Sequence, residues 1–414
     1  MQKKQSRRRR STFLRLVLPL LLLAIPVLLY ATATEAPAGF DNLTNGFEPQ
    51  ANMDSDRATF DEVEQVSDGL GPVYNAQSCR ECHQNPVSGT ISQITELRAG
   101  SFNGNTFTPH IGGSLIFSRA IDPSVQVRAL GTDTVTAFRT SLNIAGDGFV
   151  EALPDTAFTN VQASQPRGMQ GTILKVPVLE APAGTTRIGR FGWKNQHASL
   201  LSFASDAYLN EMGITNPLNP TENTSNGNSV TFLNTQNGVA AIQDPATPQN
   251  PFGNDIGAFS RFMRSLKVPP RDTVVAATSD AIAGAQIFAA IGCNVCHVQT
   301  LTTAPAGTSF AGGTFVVPAA LGNVNIHPYS DFMLHDVGTG DLVVQNGPQS
   351  TAFQMRTPPL WGMRTRNRLM HDGESLTRND AILRHTNQAE PVIDNYINLS
   401  VNQQNQLITF LNSL

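Results

Sequence analysis

The four cysteines of the chain form two copies of one short motif. Residues 79–83 read C-R-E-C-H and residues 293–297 read C-N-V-C-H, so both match C-x-x-C-H. This motif attaches c-type haem: the two thiols add to the vinyl groups of the porphyrin, and the adjacent histidine lies beneath the iron. We therefore expect two covalently bound haems c, attached by Cys79, Cys82, Cys293 and Cys296, with His83 and His297 as iron ligands.

Other cysteine chemistries fit these motifs less well. Disulfide bonds are an alternative, because they form in exported proteins. A four-cysteine zinc site is another, but the two motifs lie much further apart than the spacing of a zinc ribbon. A thioredoxin-type redox pair would not normally occur twice in one chain. The histidine that follows both pairs favours haem over all three.

The first 33 residues have the pattern of an export signal. A basic, acid-free segment precedes a 14-residue apolar run at residues 17–30, and Ala-Thr-Ala follows at 31–33. A spanning helix needs about 20 apolar residues, so we expect a cleaved signal peptide, with a retained membrane anchor as the alternative. Either interpretation places the remaining chain outside the cytoplasm, in the periplasm or an equivalent compartment.

The charge of the chain is unevenly distributed. Seven of the 28 basic residues lie in residues 1–33, so the rest of the chain is more acidic than the formal net charge of −4 indicates. An acidic body argues against nucleic acid as a partner.

Apolar periodicity and turn residues predict a mainly α-helical fold with β-hairpin insertions, built from two cytochrome c-like haem domains packed together. The Val-Pro-Pro at 268–270 predicts the boundary between an N-terminal haem domain at 34–270 and a C-terminal one at 271–414. Ser279 is the predicted cap of the helix that leads into the second motif. Helices are expected at 60–66, 197–212, 256–266, 280–291, 375–386 and 400–413, β-type runs at 113–121, 124–138 and 171–178, and a long surface loop at 214–255.

Several further strings make the chain resemble a known family. They lie at residues 68–83, 189–194, 211–215, 292–297, 334–338, 356–361 and 370–373. With them the chain resembles the dihaem oxidoreductases that are related to bacterial dihaem cytochrome c peroxidases. The resemblance covers most of the chain after the signal segment. It is more specific for the superfamily than for the reaction, because the superfamily also contains dihaem enzymes that modify proteins or oxygenate polymers.

The resemblance implies a permanent sixth ligand for the haem that receives electrons. Relatives place a Met there, 14 residues after the start of a His-x-Gly element that begins here at His371, and this position is His385. Histidine is also a strong haem ligand, and it gives the haem a lower reduction potential than Met does. The alternatives are a solvated histidine at 385 and ligation by Met355, Met363 or Met370.

The resemblance also implies a catalytic acid–base group and an electron bridge. In relatives a Trp lies between the haems and a catalytic Glu followed by Met comes about 20 residues later, which points here to Trp193 and Glu211. Glu151 is the second candidate acid. The plain alternatives are a glutamate at a helix end and a buried core aromatic.

The remaining histidines and calcium are less well defined. His110 lies between the first motif and Trp193, where relatives place a mobile iron ligand, but it also fits an ordinary turn. We expect His335 and His371 near haem edges or propionates, and assign no role to His197 or His327. Relatives bind calcium through a Thr-x-Pro that is Arg366-Asn-Arg here, which puts calcium binding in doubt.

The expected function is an exported dihaem c-type peroxidase. It would reduce hydrogen peroxide with electrons passed from the C-terminal to the N-terminal haem, and a small electron-donor protein or a quinol-linked carrier would supply them. A homodimer is compatible with this function. The alternatives are a dihaem enzyme that oxidises an organic or protein substrate and a non-catalytic electron carrier.

Overall fold

Helices provide most of the regular structure of the chain. The computed structural model describes residues 32–233 and 242–414, so the predicted signal segment lies almost wholly outside the described residues. Ala33–Leu414 forms one compact unit. The α-helices in the described ranges are α1 (Gln50–Asp61), α2 (Cys79–Cys82), α3 (Asp147–Glu151), α4 (Asp155–Ser164), α5 (Leu200–Met212), α6 (Asn254–Ser265), α7 (Thr273–Ala276), α8 (Ser279–Ala290), α9 (Arg378–Leu383), α10 (Glu390–Ile397) and α11 (Val401–Asn412). Among these helices none is long and apolar enough to cross a membrane.

The strands are short, and most have two or three residues. They are β1 (Thr34–Glu35), β2 (Val73–Tyr74), β3 (Thr95–Phe102), β4 (Phe107–Pro109), β5 (Leu115–Ile116), β6 (Arg119–Ala120), β7 (Val135–Thr140), β8 (Lys175–Pro177), β9 (Thr186–Ile188), β10 (Thr224–Ser225), β11 (Asn228–Ser229), β12 (Leu301–Thr302), β13 (Ser309–Phe310), β14 (Phe315–Val316), β15 (Val324–Ile326), β16 (Leu334–His335) and β17 (Met355–Arg356). The largest sheet has four strands, in which β3 pairs antiparallel with β4, β5 and β7.

Two main apolar clusters stabilise the fold. The first packs α1, α3, α5 and α6 together, and residues such as Leu301, Ile326 and Phe332 join it, so it takes residues from both sides of the predicted boundary at 268–270. The second packs α8, α10 and α11 around the second C-x-x-C-H motif. At Gly284 of α8, a Cβ would lie 2.0 Å from the backbone oxygen of Gln406 in α11, so this close helix crossing requires glycine.

The structure confirms the strongly periodic helices and corrects weaker predictions. Helices α5, α6, α8 and α11 match the expected positions. The helix expected at 60–66 is wrong: α1 ends at residue 61, and its largely polar sequence buries only Met53, Asp56 and Phe60. Helix α9 covers only the middle of 375–386. The cap of α8 is Thr278, whose side chain accepts from the Ala281 N–H, rather than Ser279.

The β-type predictions are also revised. The expected runs at 113–121, 124–138 and 171–178 are each longer than the strands found there. The long strand β3 lies outside all three. The expected loop at 214–255 contains the β10–β11 hairpin, and its residues 234–241 lie outside the described residues.

Candidate functional site

The second C-x-x-C-H motif opens into a large apolar cavity. Helix α8 leads to Gly292, whose φ of 102° turns the chain into a 3₁₀ turn at Cys293–Val295. The cavity has a volume of about 190 Å³ and is partly open to solvent. Both thiols of the motif and the His297 ring line it, together with apolar side chains such as Phe288, Val392, Leu407 and Leu411.

The His297 ring is oriented for metal binding. Its Nδ1 lies 2.9 Å from the Tyr329 carbonyl oxygen, which can only accept, so Nδ1 carries the proton and the lone pair of Nε2 stays free. Burial lowers the pKa of His297 to about 4, which keeps the imidazole neutral. A neutral ring held by a backbone carbonyl is the form that ligates metals.

His385 faces the same cavity with the same orientation. Its Nδ1 lies 2.8 Å from the Ala381 carbonyl oxygen, and burial lowers its pKa. His297 and His385 are therefore two neutral imidazoles of this cavity whose Nδ1 atoms are held by backbone carbonyls and whose Nε2 atoms are free. Its wall also includes the three rival methionines, at positions 355, 363 and 370.

The first motif repeats this arrangement. Helix α2 contains Cys79 and Cys82 and is capped by Ser78, whose hydroxyl accepts from the Arg80 N–H. The His83 Nδ1 lies 3.0 Å from the Thr90 carbonyl oxygen, and burial lowers the pKa of His83. All four cysteines are free thiols, so each motif presents two thiols and an imidazole with a free Nε2. These residues fit covalent haem c at both motifs.

Glu211 lies beside the first motif. Near the end of α5, its carbonyl oxygen accepts from the N–H groups of Asn75 and Ala76, in the segment that leads to Cys79. Its Oε2 accepts from the Asn75 side-chain amide at 2.9 Å. Burial is the main cause that raises the pKa of the Cys82 thiol to about 12, and the nearby Glu211 contributes to that rise.

The Glu211 carboxyl holds its proton near neutral pH. Burial raises its pKa to about 8, and a second carboxylate, Glu96, adds to the rise. Glu96 is on β3, where Arg98 donates to both of its oxygens at 2.8 and 2.9 Å. Neither Glu96 nor Arg98 was among the site residues predicted from the sequence. The available signal was their i, i+2 spacing, which places both side chains on one face of a strand.

Trp193 lies between the two motifs. It lines the cavity of the second motif, and its ring contacts His371 edge to face with centroids 6.1 Å apart. Its Nε1 donates to the Thr140 carbonyl oxygen at 2.8 Å. Two residues further along, the Leu142 backbone contacts the His83 ring. A series of contacts therefore links the second cavity, through Trp193 and residues 140–142, to the first motif.

Comparison with known proteins identifies the family of this chain. The family described as "di-haem oxidoreductase, putative peroxidase" matches residues 117–414. The chain belongs to this family. No curated protein matches it in sequence.

The di-haem oxidoreductase family match is accompanied by distant similarity to solved structures. A hydrazine synthase of Kuenenia stuttgartiensis is 14% identical, with 92% of this chain and 90% of that chain covered and a TM-score of 0.40. A MauG-like protein associated with microbial copper homeostasis is 14% identical, with 92% and 93% covered and a TM-score of 0.40. A variant of the dihaem peroxidase BthA from Burkholderia thailandensis is 13% identical, with 93% and 91% covered and a TM-score of 0.40.

Glu151 of this di-haem oxidoreductase lies in a different environment from Glu211. It is completely buried, and Arg264 donates to its two oxygens at 2.6 and 2.9 Å. One of these oxygens also accepts from the Leu200 N–H at 2.9 Å, at the start of α5. These contacts give Glu151 a structural role that joins α3, α5 and α6.

Arg366 replaces the calcium-binding element expected from the resemblance. Its guanidinium lines the second cavity, donates to the Ser141 carbonyl oxygen, and is close enough to His83 to lower that residue's pKa. Burial lowers the pKa of Arg366 to about 10, so it stays positively charged at neutral pH. A fixed positive charge at this position disfavours a bound cation.

The other histidines have local partners. His110 is buried and its Nδ1 lies 2.7 Å from the Asp133 carboxylate, while its Nε2 has no hydrogen-bond partner in the described residues. Iron ligation by His110 stays a prediction. His335 lines the second cavity and contacts Asp331 and the Cys296 sulfur. His371 also lines this cavity, His197 pairs with Asp206, and His327 pairs with Glu35.

Proposed function

We propose that this di-haem oxidoreductase is an exported c-type peroxidase that reduces hydrogen peroxide at the N-terminal haem. The observation that carries the proposal is Glu211, a carboxyl with a pKa of about 8 beside the first motif. A simple electron carrier has no use for such a group, because its irons only exchange electrons. An acid–base group is most effective when its pKa lies near the working pH.

The two haem sites differ in a way that supports a division of labour. Cys79, Cys82 and His83 would hold the N-terminal haem. Cys293, Cys296, His297 and His385 would hold the C-terminal haem. Haem iron supplies the redox chemistry. If both His297 and His385 ligate its iron, the C-terminal haem would have no open position and would suit electron transfer alone, whereas the first motif has Glu211 beside it.

Glu211 would handle protons during turnover. Peroxide reduction consumes one hydrogen peroxide, two electrons and two protons, and it releases two water molecules. Glu211 donates a proton to the leaving oxygen as the oxygen–oxygen bond breaks, and it regains a proton from solvent. Asn75 holds Oε2 in place during this exchange. The electrons come from a small donor protein or a quinol-linked carrier and pass to the N-terminal haem by way of Trp193.

Replacing Glu211 tests this proposal. Glu211→Gln keeps the shape and the hydrogen bond from Asn75 but cannot transfer a proton. Because acid–base groups typically contribute 10²–10⁴-fold, we expect peroxide turnover per haem to fall by about that factor while both haems remain bound. Peroxide consumption is measured with a chemically reduced donor, and absorption spectra give the haem content. Unchanged turnover would contradict the assignment of Glu211.

Export is proposed on separate grounds. The basic segment, short apolar run and Ala-Thr-Ala of residues 1–33 support it, and haem c is attached outside the cytoplasm. Amino-terminal sequencing of the mature protein would test cleavage after residue 33. A retained Met1 would favour the membrane anchor.

A further inference from the structure

A partly buried ion pair on β3 lies against Glu211, and it precedes the residues 117–414 that match the family. Glu96 and Arg98 project from the same face of the strand, with side chains only 19% and 12% exposed. The Arg98 guanidinium donates two parallel hydrogen bonds to the Glu96 carboxylate. This planar fork is the strongest geometry for an arginine–carboxylate pair.

The surroundings keep Glu96 ionised. Arg139 of β7 is its direct cross-strand neighbour and approaches Glu96 Oε1 to 3.9 Å, as a second positive group. Burial alone would raise the pKa of Glu96, but Arg98 and Arg139 outweigh burial and lower it.

Glu211 shares a hydrogen bond with this carboxylate. Two carboxyl groups can share a hydrogen bond only if one of them carries a proton. Because the two guanidiniums stabilise the charge on Glu96, the proton lies on Glu211. The last turn of α5 also disfavours a negative charge there, since it is the negative end of the helix dipole.

Asn75 fixes the other side of Glu211. Its amide oxygen accepts from the Ser118 N–H at 2.9 Å, so its NH₂ group must face Glu211. One oxygen of Glu211 is thereby assigned to Asn75, and the proton is directed to the other. Other charged groups near this cluster are Asp206 of α5, which acts on Arg98 and is paired with His197, and Asp341, which is paired with Arg139.

We propose that Glu96 is a positioning residue that keeps the proton on Glu211, and that Arg98 holds Glu96 in the charged state this requires. The inference rests on the proposed function of Glu211 and extends it. The pair places a fixed negative charge next to the acid, so Glu211 takes its proton back from solvent after each turnover.

The test compares pH profiles of the holoprotein. Glu96→Gln removes the negative charge beside Glu211 and leaves the positive Arg98, so Glu211 should lose its proton at lower pH. We expect the alkaline limb of peroxide turnover to move down by about one pH unit or more. Infrared spectroscopy gives a readout without turnover: the C=O band of the protonated carboxyl, identified by its loss in Glu211→Gln, should titrate at correspondingly lower pH.

Three further variants make the result decisive. Glu96→Asp keeps the charge and should retain nearly the wild-type profile. Asp56→Asn removes a similar forked pair, with Arg261 on α6, and should leave the profile unchanged. If Glu96→Gln does not fold, the double variant Glu96→Gln/Arg98→Met leaves no unpaired charge and should shift the profile in the same direction by less.

The outcomes separate the two proposals. An unshifted turnover limb and infrared band in Glu96→Gln, with turnover lost in Glu211→Gln, overturn the positioning role and leave the peroxidase assignment intact. Full turnover in Glu211→Gln overturns the acid–base role, while the infrared band still decides whether Glu96 controls the Glu211 proton.

Discussion

Glu151→Gln should destabilise the protein without removing its acid–base group. The Glu151 carboxylate is fully buried and accepts three hydrogen bonds, two from Arg264 and one from the Leu200 N–H. A glutamine can accept only some of these three hydrogen bonds, because its NH₂ group would face an N–H donor of Arg264 or Leu200 and cannot accept from it. Arg264, whose side chain is only 13% exposed, is then left without a counter-charge. Breaking a buried pair from one side costs about 3–5 kcal/mol, and we expect that loss in the free energy of unfolding.

Urea unfolding, followed by circular dichroism, measures this loss. The urea concentration at the midpoint should fall, while the dependence of the unfolding free energy on urea concentration stays the same. Turnover of peroxide is measured on the same sample and expressed per intact holoprotein. We expect it to stay close to wild type, since Glu151 contacts Arg264 and α5 rather than the first motif. A variant of wild-type stability that loses turnover 100-fold or more would refute this reasoning and make Glu151 the acid–base group.

Three other perturbations test separate parts of the account. In absorption spectra, His385→Ala should convert one haem from low spin to high spin and leave the other unchanged, whereas Met363→Leu should alter neither haem. The reverse pattern would show that methionine, not His385, is the iron ligand. Trp193→Phe removes the Nε1 donor and the larger ring, and should slow electron transfer between the haems in stopped-flow measurements; a wild-type rate would exclude the bridge. Burial raises the pKa of Asp147 to about 8 and of Glu64 to about 7, so the folded state holds these protons more tightly than the unfolded state. The melting temperature should therefore fall between about pH 4, where the unfolded carboxyls ionise, and about pH 8, where the folded ones do, and Asp147→Asn should flatten that fall.

Local sequence patterns predicted the features that depend on neighbouring residues. The C-x-x-C-H motifs specify their chemistry within five residues, and the structure adds backbone carbonyls that orient both histidines. Helices such as α8 and α11 were predictable because each carries a regular apolar face that packs into one cluster. Helix α1 escaped prediction because its mostly polar sequence lacks such a face.

The unpredicted part of the site depends on contacts between distant segments. Strand β3 was missed because Glu96 and Arg98 alternate with only two apolar residues, Leu97 and Ala99, before Gly100, and the reason for these charges appears only when β7 and α5 pack beside them. In the same way, the structural role of Glu151 depends on Arg264, which lies 113 positions further along the chain. The sequence predicted both Glu211 and Glu151 as candidate acid–base groups, but only the residues that pack against them distinguish the two.

The intact mass of the mature protein, recorded after acid–organic extraction of loosely bound cofactors, tests the central claim most directly. Both motifs present two free thiols and an imidazole with a free Nε2, so the account predicts a mass that exceeds the polypeptide by two haems. Replacing Cys79 and Cys82 by alanine should remove one of them and leave the other. A protein matured with the haem-attachment machinery that carries one haem, or none, would contradict the account.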